Sequence, residues 1–397
     1  MKVPGADVVI VRHGDIGVKS THVQSWMEET LASNLGATLS ARSVEGHVEQ
    51  HWGRLFIRTD SPQAAADAAS TVFGVVSVSP ARSVEPTLDS ITTALAETAR
   101  ERYHDGSFAV QASRAGEHEF TSQDVGRVGG EAIWETVEDR FEPEVDLENP
   151  DVLFEVEVRD EEAFVFLDRI DGPGGLPIGT QEPLVALISG GIDSPVAAWQ
   201  AMKRGSPIIP VYFDLGIFGG ADHRARAIET IRTIAGYAPE EDWAVHVVPI
   251  GDALEEIAGA VGDTRMLTIR RLMLRIGGEI AEKTGAKGIV TGEAIGQKSS
   301  QTVTNLNVTD KITDWPVHRP LLTMDKQEII AEARAIGTYE TATIDTGCDM
   351  LSPDQPETGA PIERVEAKEP DLAELAAAAV DDEELLPIEP MTDPKAE

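Results

Sequence analysis

The sequence predicts two fold classes in one chain: an α+β amino-terminal half and an α/β carboxy-terminal half built on a doubly wound parallel sheet. Three observations carry this. After residue 181, short apolar runs alternate with helical patterns, as in successive βαβ units. Before it, alternating strands are separated by long helices in an order that suits α+β layers. Between the two lies Gly172-Pro173-Gly174-Gly175-Leu176-Pro177, a breaker cluster and the clearest domain boundary in the chain.

In chain order, residues 6–11 read as a short buried strand. Residues 21–35 read as a helix with Trp26, Leu31 and Leu35 among its apolar positions. Residues 48–57 have β character interrupted by Gly53, which suggests a hairpin, and 62–72 form an Ala-rich helix. A second unit begins near Phe73-Gly74-Val75-Val76. It contains a helix over 87–103 with Leu88, Ile91 and Leu95 on one face, a strand over 108–113 and a long helix over 122–141. Val152, Phe154, Val156 and Val158 alternate strictly, so 152–158 is a half-buried strand, with 163–167 as its neighbour. The second half places strands at 184–188, 208–213, 244–248 and 288–291. Helices fall at 196–203, 222–235, 267–283 and about 326–336. These breaks divide the chain into 1–62, 63–171, a linker at 172–180, 181–352 and an acidic tail at 353–397, expected to be loosely held or disordered.

The 397 residues include 33 Lys+Arg against 69 Asp+Glu, a formal charge of −36. Such self-repulsion weakens a compact state at low salt and is relieved where the Debye length falls to about 3 Å near 1 M salt. The acidity runs through the folded part as well as the tail, as in Glu135, Glu138, Asp139 and Asp160-Glu161-Glu162. This is the balance of proteins that work in molar salt, and a halophile is the expected source. Bulk acidity argues against nucleic acid. The objection weakens where charge is a solubility trait and local basic residues decide binding. The single cysteine excludes an internal disulfide framework and a CxxC zinc ribbon. No apolar run reaches the ~18 residues of a membrane span. A cytoplasmic location with no membrane partner is the expectation.

The most informative segment is Val185-Ala186-Leu187-Ile188-Ser189-Gly190-Gly191-Ile192-Asp193-Ser194-Pro195. An apolar strand runs into Ser-Gly-Gly and a helix follows, with Ser194 placed as N-cap and Pro195 as first helical residue. Two glycines let the backbone turn its N–H groups inward, which makes an anion nest at a positive helix end. It is not a Walker A loop, because no Gly-Lys-Ser/Thr follows. A glycine turn before an ordinary helix is the bland alternative.

The loop resembles the pyrophosphate loop of N-type ATP pyrophosphatases, which cleave ATP between the α and β phosphates and adenylate a carbonyl oxygen. Further segments narrow the resemblance. They are Gly292-Glu293-Ala294-Ile295-Gly296-Gln297-Lys298-Ser299-Ser300-Gln301-Thr302, Gly174-Gly175-Leu176-Pro177-Ile178-Gly179-Thr180, and Val11-Arg12-His13-Gly14-Asp15-Ile16-Gly17-Val18-Lys19. Over residues 5 to about 355 the chain is similar to the tRNA 4-thiouridine synthetase (tRNA sulfurtransferase) family. That resemblance implies a ferredoxin-like domain at 1–62, a THUMP RNA-binding domain at 63–171 that holds the tRNA acceptor end, and a PP-loop ATP pyrophosphatase domain at 181–352. It also implies the reaction, adenylation of O4 of uridine-8 by ATP with Mg²⁺, followed by displacement of AMP by sulfur. It is compatible with a homodimer.

By the same resemblance, Leu187 and Ile188 line the nucleotide site. Ser189, Gly190, Gly191, Asp193 and Ser194 cradle pyrophosphate, with Asp193 orienting Mg²⁺ or substrate. Tyr212 and Phe213 contact adenine, although some relatives carry His at the first of these places. Arg270, on a helix with Arg271 and Arg275, faces phosphate, and Gly292 and Gln301 complete the site. Without the resemblance, Arg270 reads as a solvated or ion-paired helix arginine and Gln301 as an ordinary polar residue.

Cys348, in Asp345-Thr346-Gly347-Cys348-Asp349-Met350, matches the reactive cysteine of the family. On its own it reads equally as a small buried hydrophobe. Asp345 and Asp349 would raise its pKa if close, and Arg319 is a candidate basic neighbour to offset them. Some relatives carry a rhodanese domain with a second cysteine. None occurs here before Glu397, so either Cys348 takes the persulfide itself or a cysteine desulfurase or free sulfide supplies sulfur. Arg12, Lys19, Arg114, Arg127 and Lys298 are the RNA-binding candidates, with Arg54, His118 and Lys311 beside them. Each alone is an ordinary surface charge. Two other functions stay open: a sulfur carrier for thiamine thiazole synthesis, and a noncatalytic tRNA-binding protein.

Overall fold

The computed structural model describes residues 3–18, 20–51, 53–219, 221–342, 351, 353 and 357–395. The chain forms two compact units, Met1–Gly175 and Leu176–Glu397, so the break falls inside the breaker cluster.

The first unit runs β1 (Val8–His13), α1 (Thr21–Ala41), β2 (His47–His51), β3 (Arg54–Arg58), α2 (Pro62–Ala69), β4 (Val75–Val84), α3 (Leu88–Arg102), β5 (Ser107–Arg114), α4 (Ser122–Val137), β6 (Glu144–Val145), β7 (Val152–Val158), β8 (Ala163–Phe166) and β9 (Ile170–Asp171). Among the described residues these strands make one sheet in the order β2-β3-β1-β4-β8-β7-β5-β6, with β9 also on β4. The ten-residue β4 pairs with β1 along its first part and with β8 at Ala81–Val84. Helix starts are set locally. Thr87 accepts from Ser90 N, and Thr121 and Asp124 form a reciprocal capping box at α4.

Alternation sorts the faces. Phe154, Val156 and Val158 join the core under α3 and α4, while Phe164 and Phe166 join a separate core with Val8, Ile10, Phe56 and Ala81. Phe56 and Phe164 stack with ring centroids 5.0 Å apart, although β3 and β8 are three places apart in the sheet. In a flat sheet three spacings would be about 14 Å. The sheet therefore curls over on itself and encloses this second core.

The second unit runs β10 (Leu184–Leu187), α5 (Asp193–Met202), β11 (Ile208–Asp214), α6 (Ala221–Ala235), β12 (Ala244–Pro249), α7 (Gly251–Ala260), α8 (Arg265–Thr284), β13 (Ile289–Val290), α9 (Val303–Asp310), β14 (Val317–His318), α10 (Lys326–Ala335), α11 (Tyr339–Ala342), α12 (Ile362–Glu366), α13 (Leu372–Asp381) and β15 (Glu384–Pro387). Its sheet has the order β14-β13-β10-β11-β12-β15. All pairings are parallel except the last. One face is covered by α7, α8 and α13 through Leu254, Ile257, Ile269, Leu272, Ile276 and Ala376. Helices α5, α6 and α10 pack together elsewhere in the unit, with α5 against β10 and α6 against β11.

The expectation of a loose tail fails for residues 357–395. Leu372, Ala376 and Ala379 form an apolar stripe on α13 that packs on α8, and β15 pairs with β12. Several of the acidic residues there are ion-paired with cations elsewhere in the unit. Arg271, only 2% exposed, holds the Glu369 carboxylate at 2.9 Å. His246 and Lys283 both meet Glu383, and Arg224 meets Glu384. Among the described residues no helix is long and apolar enough to cross a membrane.

Candidate functional site

The strand order of the second unit creates a site before any side chain is considered. From β10 the chain proceeds to β11 and β12 on one side, then returns to β13 and β14 on the other. The carboxyl ends of β10 and β13 thus flank a topological switch point, where open α/β sheets bind ligands. The Ser189–Ser194 turn leaves β10 there, and Gly292 follows β13.

The turn is closed by its own serines. Ser189 N donates to Ser194 Oγ at 2.9 Å, the two hydroxyl oxygens lie 3.1 Å apart, and Gly191 N donates to Ser189 Oγ at 3.3 Å. Helix α5 begins at Asp193 with Ile192 as N-cap and no side-chain cap. The expected Ser194 cap is therefore corrected. Its hydroxyl turns back to fasten the loop, and Pro195 still falls in the first turn, where its missing N–H costs nothing. A Cβ on Gly292 would lie 2.6 Å from Ser194 N and 2.7 Å from Asp193 C, so the glycine lets the two loops touch backbone to backbone.

Asp193 is paired with Lys326, at the first turn of α10, at 2.6 Å. This lysine escaped the sequence reading. So did His223 and Arg226, which flank Gly190 from α6: a Cβ on Gly190 would lie 3.6 Å from His223 Nδ1 and 3.7 Å from Arg226 Cβ. Burial, and then the Arg226 charge, lower the His223 pKa, which favours a neutral ring.

Opposite the turn, residues 291–301 are held by a knot of charges. Glu293 is buried and receives Arg270 Nη1, Arg319 Nε at 2.8 Å and the Thr291 hydroxyl at 3.1 Å. Burial would push its carboxyl up, but the two guanidiniums outweigh it and hold the group below the usual carboxylate range. Arg270 also donates from Nε to Ser300 Oγ at 2.9 Å. With the Gln301 amide turned to match its neighbours, its oxygen accepts from Arg270 Nη2 at 3.0 Å and its nitrogen donates to the Ala294 carbonyl at 3.0 Å. Arg319 reaches Glu293 and, at 3.0 Å, Asp310. Asn305, fully buried, ties this region to the segment beyond: Nδ2 donates to Ser299 O at 2.9 Å and Glu357 O at 3.0 Å.

The other sequence candidates divide. Ile188 is buried at the end of β10, and Leu187 packs toward α8. Phe213 lies in the core with Val185 and Val211, whereas Tyr212, one residue earlier, is buried on the other face of β11. Arg275 pairs with Glu279. Lys19 and Cys348 lie outside the described residues.

Of the RNA candidates, Arg12 is corrected. It follows Val8 and Ile10 in register, donates to Ser79 Oγ at 2.9 Å, approaches Glu157 at 3.5 Å and lies over the Phe166 ring. Burial lowers its pKa to about 10 despite Glu157. It braces the curled sheet together with Arg54 and Arg159, which also reach Glu157. Arg114 is exposed and bonds to Gly116 O at 2.9 Å, and Lys298 is exposed ahead of the 299–301 turn. Arg127 is exposed and pairs with Glu131 at 3.2 Å. It lines a groove of about 730 Å³ between β5 and α4, with Val110, Gln123, Trp134 and Leu147.

The chain matches sequence models described as "ThiI ferredoxin-like domain" over residues 8–79, "THUMP domain" over 85–168 and "Thiamine biosynthesis protein (ThiI)" over 179–373. It is 60% identical to a Halobacterium salinarum protein named "Probable tRNA sulfurtransferase", over 96% of this chain and 97% of that one. A protein of the same name from Methanosarcina acetivorans is 41% identical over 89% and 87% of the two chains. The structure also resembles the crystal structure of a 4-thiouridine synthetase–RNA complex with bound ATP. The TM-score is 0.86 and the identity 32%, over 97% of this chain and 100% of that one. From its amino-terminal sheet to its phosphate-loop unit, the chain belongs to the tRNA sulfurtransferase (ThiI) family.

Proposed function

We propose that this protein is an ATP-dependent tRNA sulfurtransferase that converts uridine-8 to 4-thiouridine. The observation that carries the reading is the self-closed Ser189–Ser194 turn at the sheet's switch point, with Gly292 flush against it. The family's ATP- and RNA-bound member supports both substrates. The chemistry is two displacements. Uridine O4 attacks the α-phosphorus, the bond to the β-phosphate breaks and pyrophosphate leaves. A sulfur nucleophile then adds at C4, and the C–O bond breaks to release AMP. Adenylation thus converts a poor leaving oxygen into a good one.

In this reading the Gly190 and Gly191 N–H groups and the α5 N-terminus receive the departing pyrophosphate charge. Gly292 gives that backbone room, and Arg270 and Gln301 form the opposite wall. Leu187, Ile188 and Tyr212 border the nucleotide, while Phe213 supports them from the core. Among the described residues no cluster of three metal-ligating side chains occurs. Mg²⁺ would therefore arrive on the ATP phosphates, with Asp193 as its one carboxylate. There it would neutralise phosphate charge. Lys326 holds that carboxylate in place. The 1–62 and 63–171 domains hold the tRNA, with Arg127 and Trp134 offering a charge and an exposed ring beside β5. Cys348 takes sulfane sulfur as a persulfide from a desulfurase, and an outside thiol cleaves the S–S bond after that sulfur has displaced AMP at C4; free sulfide instead attacks C4 directly, and the protein works in the cytoplasm.

The test uses unmodified tRNA in molar KCl with Mg-ATP and sulfide, comparing wild type, Asp193→Asn and Cys348→Ser. Wild type should form 4-thiouridine with one AMP per product, and Asp193→Asn should not. Loss of product in Cys348→Ser places the sulfur step on that thiol. Product in both makes Cys348 a delivery residue for a protein donor. Wild type that binds tRNA yet cleaves no ATP refutes the reading.

A further inference from the structure

We infer that Glu293 is a positioning residue for nucleotide binding, acting through Arg270 and, by way of it, Gln301. The inference rests on the nucleotide-site reading of residues 189–194 and adds to it a residue that contacts no substrate.

Two arginines share the Glu293 carboxylate, and they are not equivalent. Arg319 places Nε on Glu293 and both terminal nitrogens on Asp310, and its side chain is 8% exposed. All three of its nitrogens are held by carboxylates, and little of it faces solvent. Arg270 uses one N–H on each nitrogen, to Ser300, Glu293 and Gln301. A guanidinium has five N–H donors, so two remain, and its side chain is 22% exposed. Glu293 therefore fixes a cation whose remaining donors are free for an anion beside the Ser189–Ser194 turn.

The charges also balance. Arg270 and Arg319 are matched by Glu293 and Asp310, so the knot is neutral and rigid before ligand arrives. An arginine held in one rotamer loses less freedom on binding phosphate than one free to swing. The Gln301 amide, oriented by the same guanidinium, is fixed with it. A purely structural Glu293 would stabilise the fold without its effect passing through Arg270.

The test is a double-mutant cycle of Glu293→Gln and Arg270→Lys, read as ATP KM and kcat for tRNA-dependent pyrophosphate release at saturating tRNA. Glu293→Gln should raise the ATP KM about tenfold with kcat little changed, as expected when a pre-set contact is loosened. The double variant should bind ATP no worse than Arg270→Lys alone, because the effect runs through that side chain. Glu293→Asp should restore part of the loss. An unchanged KM in Glu293→Gln, or KM effects that multiply in the double variant, overturns the inference. Wild type that releases no pyrophosphate with tRNA overturns the underlying reading instead. If Glu293→Gln does not fold, Arg319→Lys loosens the same carboxylate from its other side and enters the cycle in its place.

Discussion

Adding one methyl group at Gly292 should disable the enzyme more than it destabilises the protein. The Cβ of Gly292→Ala would meet Ser194 N at 2.6 Å and Asp193 C and Ser194 Cα at 2.7 Å. Every one of these atoms is backbone, so no side chain can swing aside. Restoring ordinary contact near 3.5 Å requires the two loops to part by about 0.8–0.9 Å. Overpacking of this kind costs about 1–3 kcal/mol of stability. A displacement of about 1 Å at a reacting centre costs on the order of 100-fold in rate. The assay is tRNA-dependent pyrophosphate release, with thermal unfolding measured on the same samples. Gly36→Ala in α1, where an added Cβ meets nothing within 4 Å, should instead stabilise by about 0.5–1 kcal/mol and leave activity unchanged. Wild-type kcat/KM in Gly292→Ala would refute the claim that the two loops jointly shape the site.

Two further perturbations test the frame around the site. Arg271→Ala strands the Glu369 carboxylate and the Val308 carbonyl that it now satisfies. It should cost about 3–5 kcal/mol, read as a lower urea midpoint and earlier proteolysis within residues 357–395. Glu240 carries a carboxyl pushed up to about 7 by burial, with Glu241 adding to the shift. Its folded pKa lies above its unfolded one, so the folded state binds the extra proton between about pH 4.5 and 7. Stability is then lost as pH rises through that window. Glu240→Gln should therefore gain about 1–3 kcal/mol over wild type at pH 8 and nothing at pH 4. Equal stability at pH 8 would contradict it.

The phosphate loop was legible because its chemistry is contiguous: a strand, two glycines and the serine pair occupy eleven consecutive residues. Its partners were not. Lys326 meets Asp193 across 133 residues of sequence, and His223 and Arg226 reach Gly190 from α6 with no local pattern to mark them. Arg12 misled because a basic residue in a chain of charge −36 looks like an RNA ligand. Its register was the better signal, since Val8, Ile10 and Arg12 share one face of β1 and the first two are core. The end of the chain misled through composition. Acidic, Ala-rich sequence suggests disorder, yet Leu372, Ala376 and Ala379 recur at helical spacing, and the cations that pair with several of its carboxylates lie far away in sequence.

The long strand β4 has a consequence for how the amino-terminal half comes apart. Its first residues complete the sheet begun by β1, and its last residues start the pairing with β8. Neither side keeps a closed sheet if this strand leaves. The two sequence families that meet here, matched over 8–79 and 85–168, are therefore expected to melt as a single foldon. Amide exchange along β4 should report the opening free energy of the whole half. A graft that exchanged only one of the two modules for a relative's would have to carry the other's seam within its own strand.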